Sequence, residues 1–170
     1  MEDIEISNEH LHEQINETAE EHREEKHKRW ILYVAISTAL MAVFAAIAGL
    51  MAGHHSNEAL IEQIKASDNW AFYQAKGIKA QIKSIASHPD TVSIHKEMAD
   101  QKNIKKAAEH SEEESAFHLE KHLLLAKAVT LLQIAIAISA ISILTRKPLL
   151  WYISLLTSLA GITFLVMALL

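Results

Sequence analysis

Three long apolar stretches limit what this chain can become. Residues 30–52 read WILYVAISTALMAVFAAIAGLMA, in which tyrosine at the rim is the sole ionisable side chain. Residues 123–144 and 148–170 repeat the character, with Lys127 and Gln133 as the strongly polar interruptions. Each stretch matches the ~20 apolar residues that a helix needs to cross the hydrocarbon core of a bilayer. They predict an all-α membrane protein with spans at 30–52, 123–144 and 148–170, the last two joined by a short basic turn at 145–147. A cleaved secretory signal would have a short basic region and then roughly 7 to 15 apolar residues. Here an acidic leader, residues 1–29, precedes a full-length span, so the first stretch is expected to stay in the membrane.

The leader carries ten acids and four bases, a net charge of −6 against −5 for the whole chain. Chain acidity is therefore a property of the leader, which reads as a solvated, partly disordered tail containing His10, His12, His22 and His27. No nucleic-acid partner is expected. With no cysteine in 170 residues there is neither a disulfide framework nor a thiol nucleophile. A glycine-rich phosphate loop and a nucleophile elbow are also missing. Glu112, Glu113 and Glu114 are consecutive, so on a helix they point apart and read as a solvated face. No catalytic residue is identified, and no enzyme is expected.

Lysine and arginine near the span ends suggest an orientation. Arg23, Lys26, Lys28 and Arg29 precede the first span, and Arg146 and Lys147 fill the turn between the second and third. With three spans these clusters share one side, which the positive-inside rule makes cytoplasmic. The expected location is a bacterial inner membrane, with the N-terminus cytoplasmic and residues 53–122 and the C-terminus extracytoplasmic. The opposite topology would place residues 53–122 in the cytosol.

Residues 53–122 read as two helical arms around one break. Leu60, Ile64, Ala71, Ala75, Ile78, Ile82 and Ile85 recur at steps of three, four or seven, an apolar stripe on one helix face. Ser87-His88-Pro89-Asp90 interrupts it, since proline pushes the preceding residue out of the helical region. Arms at 56–86 and 91–122, each about 45 Å long, are expected to fold back as an antiparallel, coiled-coil-type hairpin. Residues facing each other should then have numbers summing to about 177. That places Ile85 beside Val92, Ile78 near Met98 and Ala99, Leu60 near Phe117 and Trp70 opposite Ala107 and Ala108.

One run on the first arm has the bulk and polarity of a binding patch: Ala66-Ser67-Asp68-Asn69-Trp70-Ala71-Phe72-Tyr73-Gln74-Ala75-Lys76, followed by Ile78-Lys79. It resembles the signature of a bacterial family known as domain of unknown function DUF4337. The acidic, histidine-bearing leader, the Gly-His that closes the first span and the Leu144-Thr145-Arg146-Lys147 turn before Trp151-Tyr152 extend the resemblance over most of the chain. The family implies a small multi-pass bacterial membrane protein and no established activity. Asp68, Asn69, Trp70, Tyr73, Gln74 and Lys76 are the candidate interaction patch, either hairpin and oligomer core or a small-molecule site. Gly77 costs backbone entropy there without an evident reason.

Two further constellations stand out. His54 and His55 leave the first span where His118 and His122, one turn apart, approach the second, and the pairing rule sets His55 beside His122. They read as interfacial residues, or alternatively as a divalent-metal or pH-sensing site. Otherwise no cofactor is expected. Ala45, Gly49 and Gly53 in the first span, and Ser154, Ser158 and Gly161 in the last, form small-residue faces that permit close packing within or between copies. The expected role is a homo-oligomeric scaffold or interaction protein in the bilayer. Its alternatives are a ligand, metal or pH sensor and, more weakly, a transporter accessory subunit.

Overall fold

In the computed structural model the described residues form three α-helices, α1 Glu2–Ser84, α2 Thr91–Thr145 and α3 Pro148–Leu169. The structure describes the backbone of residues 2–86 and 90–170, and the side chains of residues 20, 24–86 and 90–170. Expectations about the side chains of His10, His12 and His22, and about Ser87-His88-Pro89, lie outside the described residues. Among the described residues there is no strand, and each helix contains a stretch long and apolar enough to cross a membrane.

Helix α1 is longer than its parts suggested. It joins leader, first apolar stretch and first hairpin arm in 83 residues with no break at Gly53. The leader is thus helical where a partly disordered tail was expected. Glu24 pairs with Lys28 at 3.6 Å and Glu25 with Arg29 at 3.2 Å, the favourable order of acid before base at i, i+4. A helix already nucleated in the apolar stretch also extends without a second nucleation cost.

Helix α2 begins where Asp90 Oδ1 accepts a hydrogen bond from the backbone N–H of Ser93 at 3.2 Å, an N-cap. It runs unbroken from the second arm into the second apolar stretch, as expected. At its end Arg146 takes a left-handed φ of 54°. The N–H of Lys147 then donates to Ser142 O and that of Arg146 to Ile143 O, each at 3.3 Å, in the Schellman pattern. Pro148 opens α3 at a position where its missing N–H costs nothing.

The chain divides into two compact units, residues 1–45 with 130–161 and residues 46–129 with 162–170. In the first, Val34, Leu132 and Ala135 are buried together with Ser139, Ser142, Ser154 and Ser158. Thr38 and Ser139 share a hydroxyl hydrogen bond of 2.6 Å, and Trp151 Nε1 donates to Ser37 Oγ at 3.1 Å. Such side-chain bonds contribute about 0.6 to 2 kcal/mol each between helices in lipid. Ser154, Ser158 and Gly161 all face this interior, so that small-residue face is occupied within one copy.

The second unit has its apolar core at Ala48, Ala52, Leu125, Ala128, Leu165 and Ala168. Gly49 turns toward α2, where an added Cβ would lie 3.9 Å from Val129 Cγ2, while Gly53 opens onto free space; Ala45, which belongs to the first unit, is half-buried. Lys121 Nζ donates to Ala168 O at 2.8 Å, a cation on the carbonyl end of α3. From here the two arms leave as the expected antiparallel hairpin, in nearly the expected register: Lys83 meets Ser93, Lys76 meets Asp100 and Ala59 meets Ser115.

The faces of the hairpin, however, are reversed. The apolar stripe read from the sequence looks outward, with Leu60 61%, Ile64 54%, Ile78 57%, Ile82 61% and Ile85 83% exposed. Ala71, Ala75, Val92, Met98, Ala99 and Phe117 are exposed too, so the expected apolar pairs do not fill the interface between the arms. In their place α1 turns Ala52, Ala59, Ala66, Tyr73 and Ala80 inward, one every seven residues. His55, Glu62, Asn69, Lys76 and Lys83 stand half-buried between them. Alanine lets the two backbones come close enough for polar side chains to bond across, which a row of isoleucines would prevent.

Candidate functional site

The seam between the arms is the most organised polar region described. At its tip, Glu97 is 6% exposed and lies 2.9 Å from Lys76, 3.0 Å from Lys79 and 2.9 Å from Lys83. Lys76, Lys79 and Lys83 recur at steps of three and four along one face of α1, and the pairing rule sets residue 97 opposite residue 80, in their midst. Hydrogen bonds from the three ammonium groups, first that of Lys76, hold the Glu97 carboxyl far below the usual carboxylate range despite its burial. Lys76 also bonds Asp100 at 2.9 Å, and bonds to the two carboxylates raise its own pKa. Lys76 was singled out from sequence as part of the candidate patch, but its grouping with Lys79, Lys83 and Glu97 was not; the spacing of the lysines was the available signal.

Midway along the seam, the candidate patch divides. Asn69, Trp70, Tyr73 and Lys76 lie half-buried on or beside the seam, whereas Asp68 and Gln74 are exposed. Trp70 Nε1 donates to Glu112 Oε1 at 2.7 Å, and the Trp70 and Tyr73 rings meet edge to face at 5.5 Å. Trp70 thus reaches a carboxylate one turn beyond the alanines expected opposite it. Gln101 Nε2 donates to the Tyr73 carbonyl at 3.2 Å, and a Cβ on Gly77 would stand 2.6 Å from that nitrogen. Close approach of the Gln101 amide is what glycine allows here. Closer to the membrane-length stretches, Ser115 Oγ donates to Ala59 O at 2.9 Å. Lys65, at 2.6 Å, lowers the pKa of Glu62 with help from the Ser111 hydroxyl.

At the base of the arms the histidines meet in a different order from that expected. His55 pairs with His118, Nδ1 to Nδ1 at 2.9 Å, and His122 Nδ1 instead donates to the Ala52 carbonyl at 2.8 Å. The register here runs about one turn short of the pairing rule. His54 is exposed, with its ring 5.5 Å from that of His55. Among the described residues no three of the metal-ligating side chains converge. One Nδ1 of the pair must donate and the other accept, so a doubly protonated pair has no acceptor. Burial first, then the charges of His118, His54 and Lys121, lower the pKa of His55, and Glu58 opposes them.

These features define a class: an all-helical chain with three helices of membrane-crossing length and a long antiparallel hairpin joined by a polar seam. A family model described as domain of unknown function (DUF4337) matches residues 30–93 and 89–170. The chain belongs to the DUF4337 family. No curated protein matches it, and no solved structure does.

Proposed function

We propose that this chain is a self-associating membrane scaffold, non-catalytic, whose three spans anchor a rigid helical hairpin outside the cytoplasm of a bacterial cell. The reversal of the hairpin faces carries this reading. The seam spends small and polar side chains on joining the arms and leaves the large aliphatic ones exposed, whereas single proteins rarely leave large contiguous apolar patches open to water. Gln133 adds to it, being exposed near the middle of residues 123–144, where a carboxamide is better matched by a neighbouring helix than by lipid. His27, Lys28 and Arg146 line one open cleft with Glu24 and Ile31, which supports a shared, basic, cytoplasmic end.

Native mass measurement from lipid nanodiscs is expected to find more than one copy, and a single-copy mass rejects the proposal. Since the chain lacks cysteine, orientation is read by labelling engineered ones on intact cells. A cysteine at Ser84 should react with a membrane-impermeant maleimide, and one at Lys147 only after lysis. The reverse result would move the hairpin into the cytosol.

The His55–His118 pair favours a second reading, a pH-responsive junction at the foot of the hairpin. An open arm binds protons at His55 with the ordinary value of 6.5, the closed one only at lower pH. Between those values the open state holds more protons, so the junction is stable above about pH 6.5 and weakens below it. Amide exchange at residues 52–59 and 115–122 should accelerate on acidification through this range, and His55→Gln should flatten the dependence. Exchange indifferent to pH in the wild type would reject the junction.

A further inference from the structure

The exposed stripe on α1 has an order that the arm-to-arm packing does not use. From residue 57 to residue 85 its positions alternate by four and three: Ile61 and Ile64 form one group, and Ile78, Ile82 and Ile85 another. Between them stand Asp68, Ala71 and Ala75. All eight are exposed, the five isoleucines by 45 to 83%. A four-three alternation rich in aliphatic residues is the pattern of a helix that packs along a second helix. Asp68 is the single charge among these positions. The outward face of α2 differs: Lys102, Lys105, Lys106, Glu109 and Glu113 are exposed, and its exposed Val92, Met98 and Phe117 do not recur at steps of four and three.

We infer that the stripe Ile61–Ile85 on α1 is the interface between copies of this chain, joined parallel and in register, residue against the same residue. The inference rests on the self-association proposed above and identifies the surface that performs it. Two observations select a second copy as the occupant. Helix α1 passes without a break from residues 30–52, the first membrane-length stretch, into the stripe. Copies anchored in one bilayer therefore present the same residue at the same height, and an antiparallel arrangement is excluded. The stripe is also complementary to itself, because its aliphatic groups at 61–64 and 78–85 meet their own kind in that register. On α2 the exposed Val92 and Met98 are parted from Phe117 by the charged run 102–113, and they offer no such continuous match.

Asp68 tests the register. Parallel pairing brings Asp68 of one copy against Asp68 of the next, a like-charge contact that weakens the assembly and marks its alignment, as polar residues do in paired helices. The Trp70–Tyr73 pair takes no part, being turned toward α2.

The decisive experiment introduces single cysteines into the full chain in lipid vesicles at Ile64, Ile78 or, as control, Lys105. A disulfide needs Cβ atoms about 3.5–4.5 Å apart, so oxidation should yield covalent dimers at 64 and 78 and few at 105. Asp68→Ala should increase the multi-copy fraction several-fold. Ile78→Asp should diminish it with helical content unchanged, since this side chain touches solvent in the single chain. A multi-copy protein that crosslinks at 105 as readily as at 64 and 78, or at neither stripe position, overturns this interface and leaves self-association standing. A single-copy mass overturns both.

Discussion

Replacing Glu97 by alanine is expected to open the hairpin tip. The carboxylate is the common partner of Lys76, Lys79 and Lys83, and without it three ammonium groups face one another with Asp100 as the adjacent acid. Removing one member of a buried ionic cluster leaves the others desolvated and unpaired, which is costlier than never having built the cluster. Amide exchange in lipid should accelerate at residues 76–84 and 91–100 by roughly tenfold or more, while residues 120–144 stay as in wild type. Glu97→Gln, which retains an acceptor but no charge, should fall between. Lys79→Met should have the mildest effect, because Lys79 is the most exposed of the three lysines. Mild acid will not imitate the substitution. The lowered Glu97 pKa means that its contribution is present above the ordinary 4.5 and is lost only as pH falls through the depressed value. Unchanged exchange at the tip would show that the cluster does not hold the arms together.

The second large effect is a contrast between a small residue and a large one. Ala66 is fully buried in the seam, whereas Ile64 is 54% exposed on the opposite side of the same helix. Ala66→Leu inserts three carbons at a fully buried position of the seam, and should destabilise the hairpin by about 1–3 kcal/mol. It should also part Trp70 from Glu112 and Ser115 from Ala59, seen as faster exchange on both arms. Ile64→Ser, a larger chemical change, should alter hairpin stability by no more than about 0.5 kcal/mol. Thermal unfolding of the two variants, measured at a lipid dilution at which the native mass shows single copies, separates the cases. If Ile64→Ser is the more damaging within a single copy, the assignment of inner and outer faces is wrong.

Much of the architecture was legible before any fold was known. The three membrane-length helices followed from run length, and the hairpin from a proline-containing break between equal arms. Its register followed from counting outward from that break, and the pairs Lys83–Ser93, Lys76–Asp100 and Ala59–Ser115 fall within a few residues of that count. The family resemblance, drawn from the Trp70-containing run, agrees with the family model that matches the chain. Less was legible of the seam. Of the six motif residues, Asn69, Trp70, Tyr73 and Lys76 lie on or beside it, and Asp68 and Gln74 do not. The tip cluster around Glu97 and the Thr38–Ser139 bond went unnoticed, since each joins residues from different helices that only pairing makes neighbours.

Periodicity in this chain determined that α1 carries an aliphatic stripe at helical spacing; the alanines at 52, 59, 66 and 80 share that spacing but were not read as a face. It could not determine which of them faces α2. Local sequence sets the angle between two side chains on a helix, but inside and outside are defined by the second helix. That choice turns on the distance at which two backbones can approach. Alanines at 52, 59, 66 and 80 allow Ser115, Gln101 and the lysine–glutamate cluster to bond across the gap, satisfying polar groups that an aliphatic seam would have left to water. The tertiary structure therefore settled the polar seam inside and the isoleucines outside.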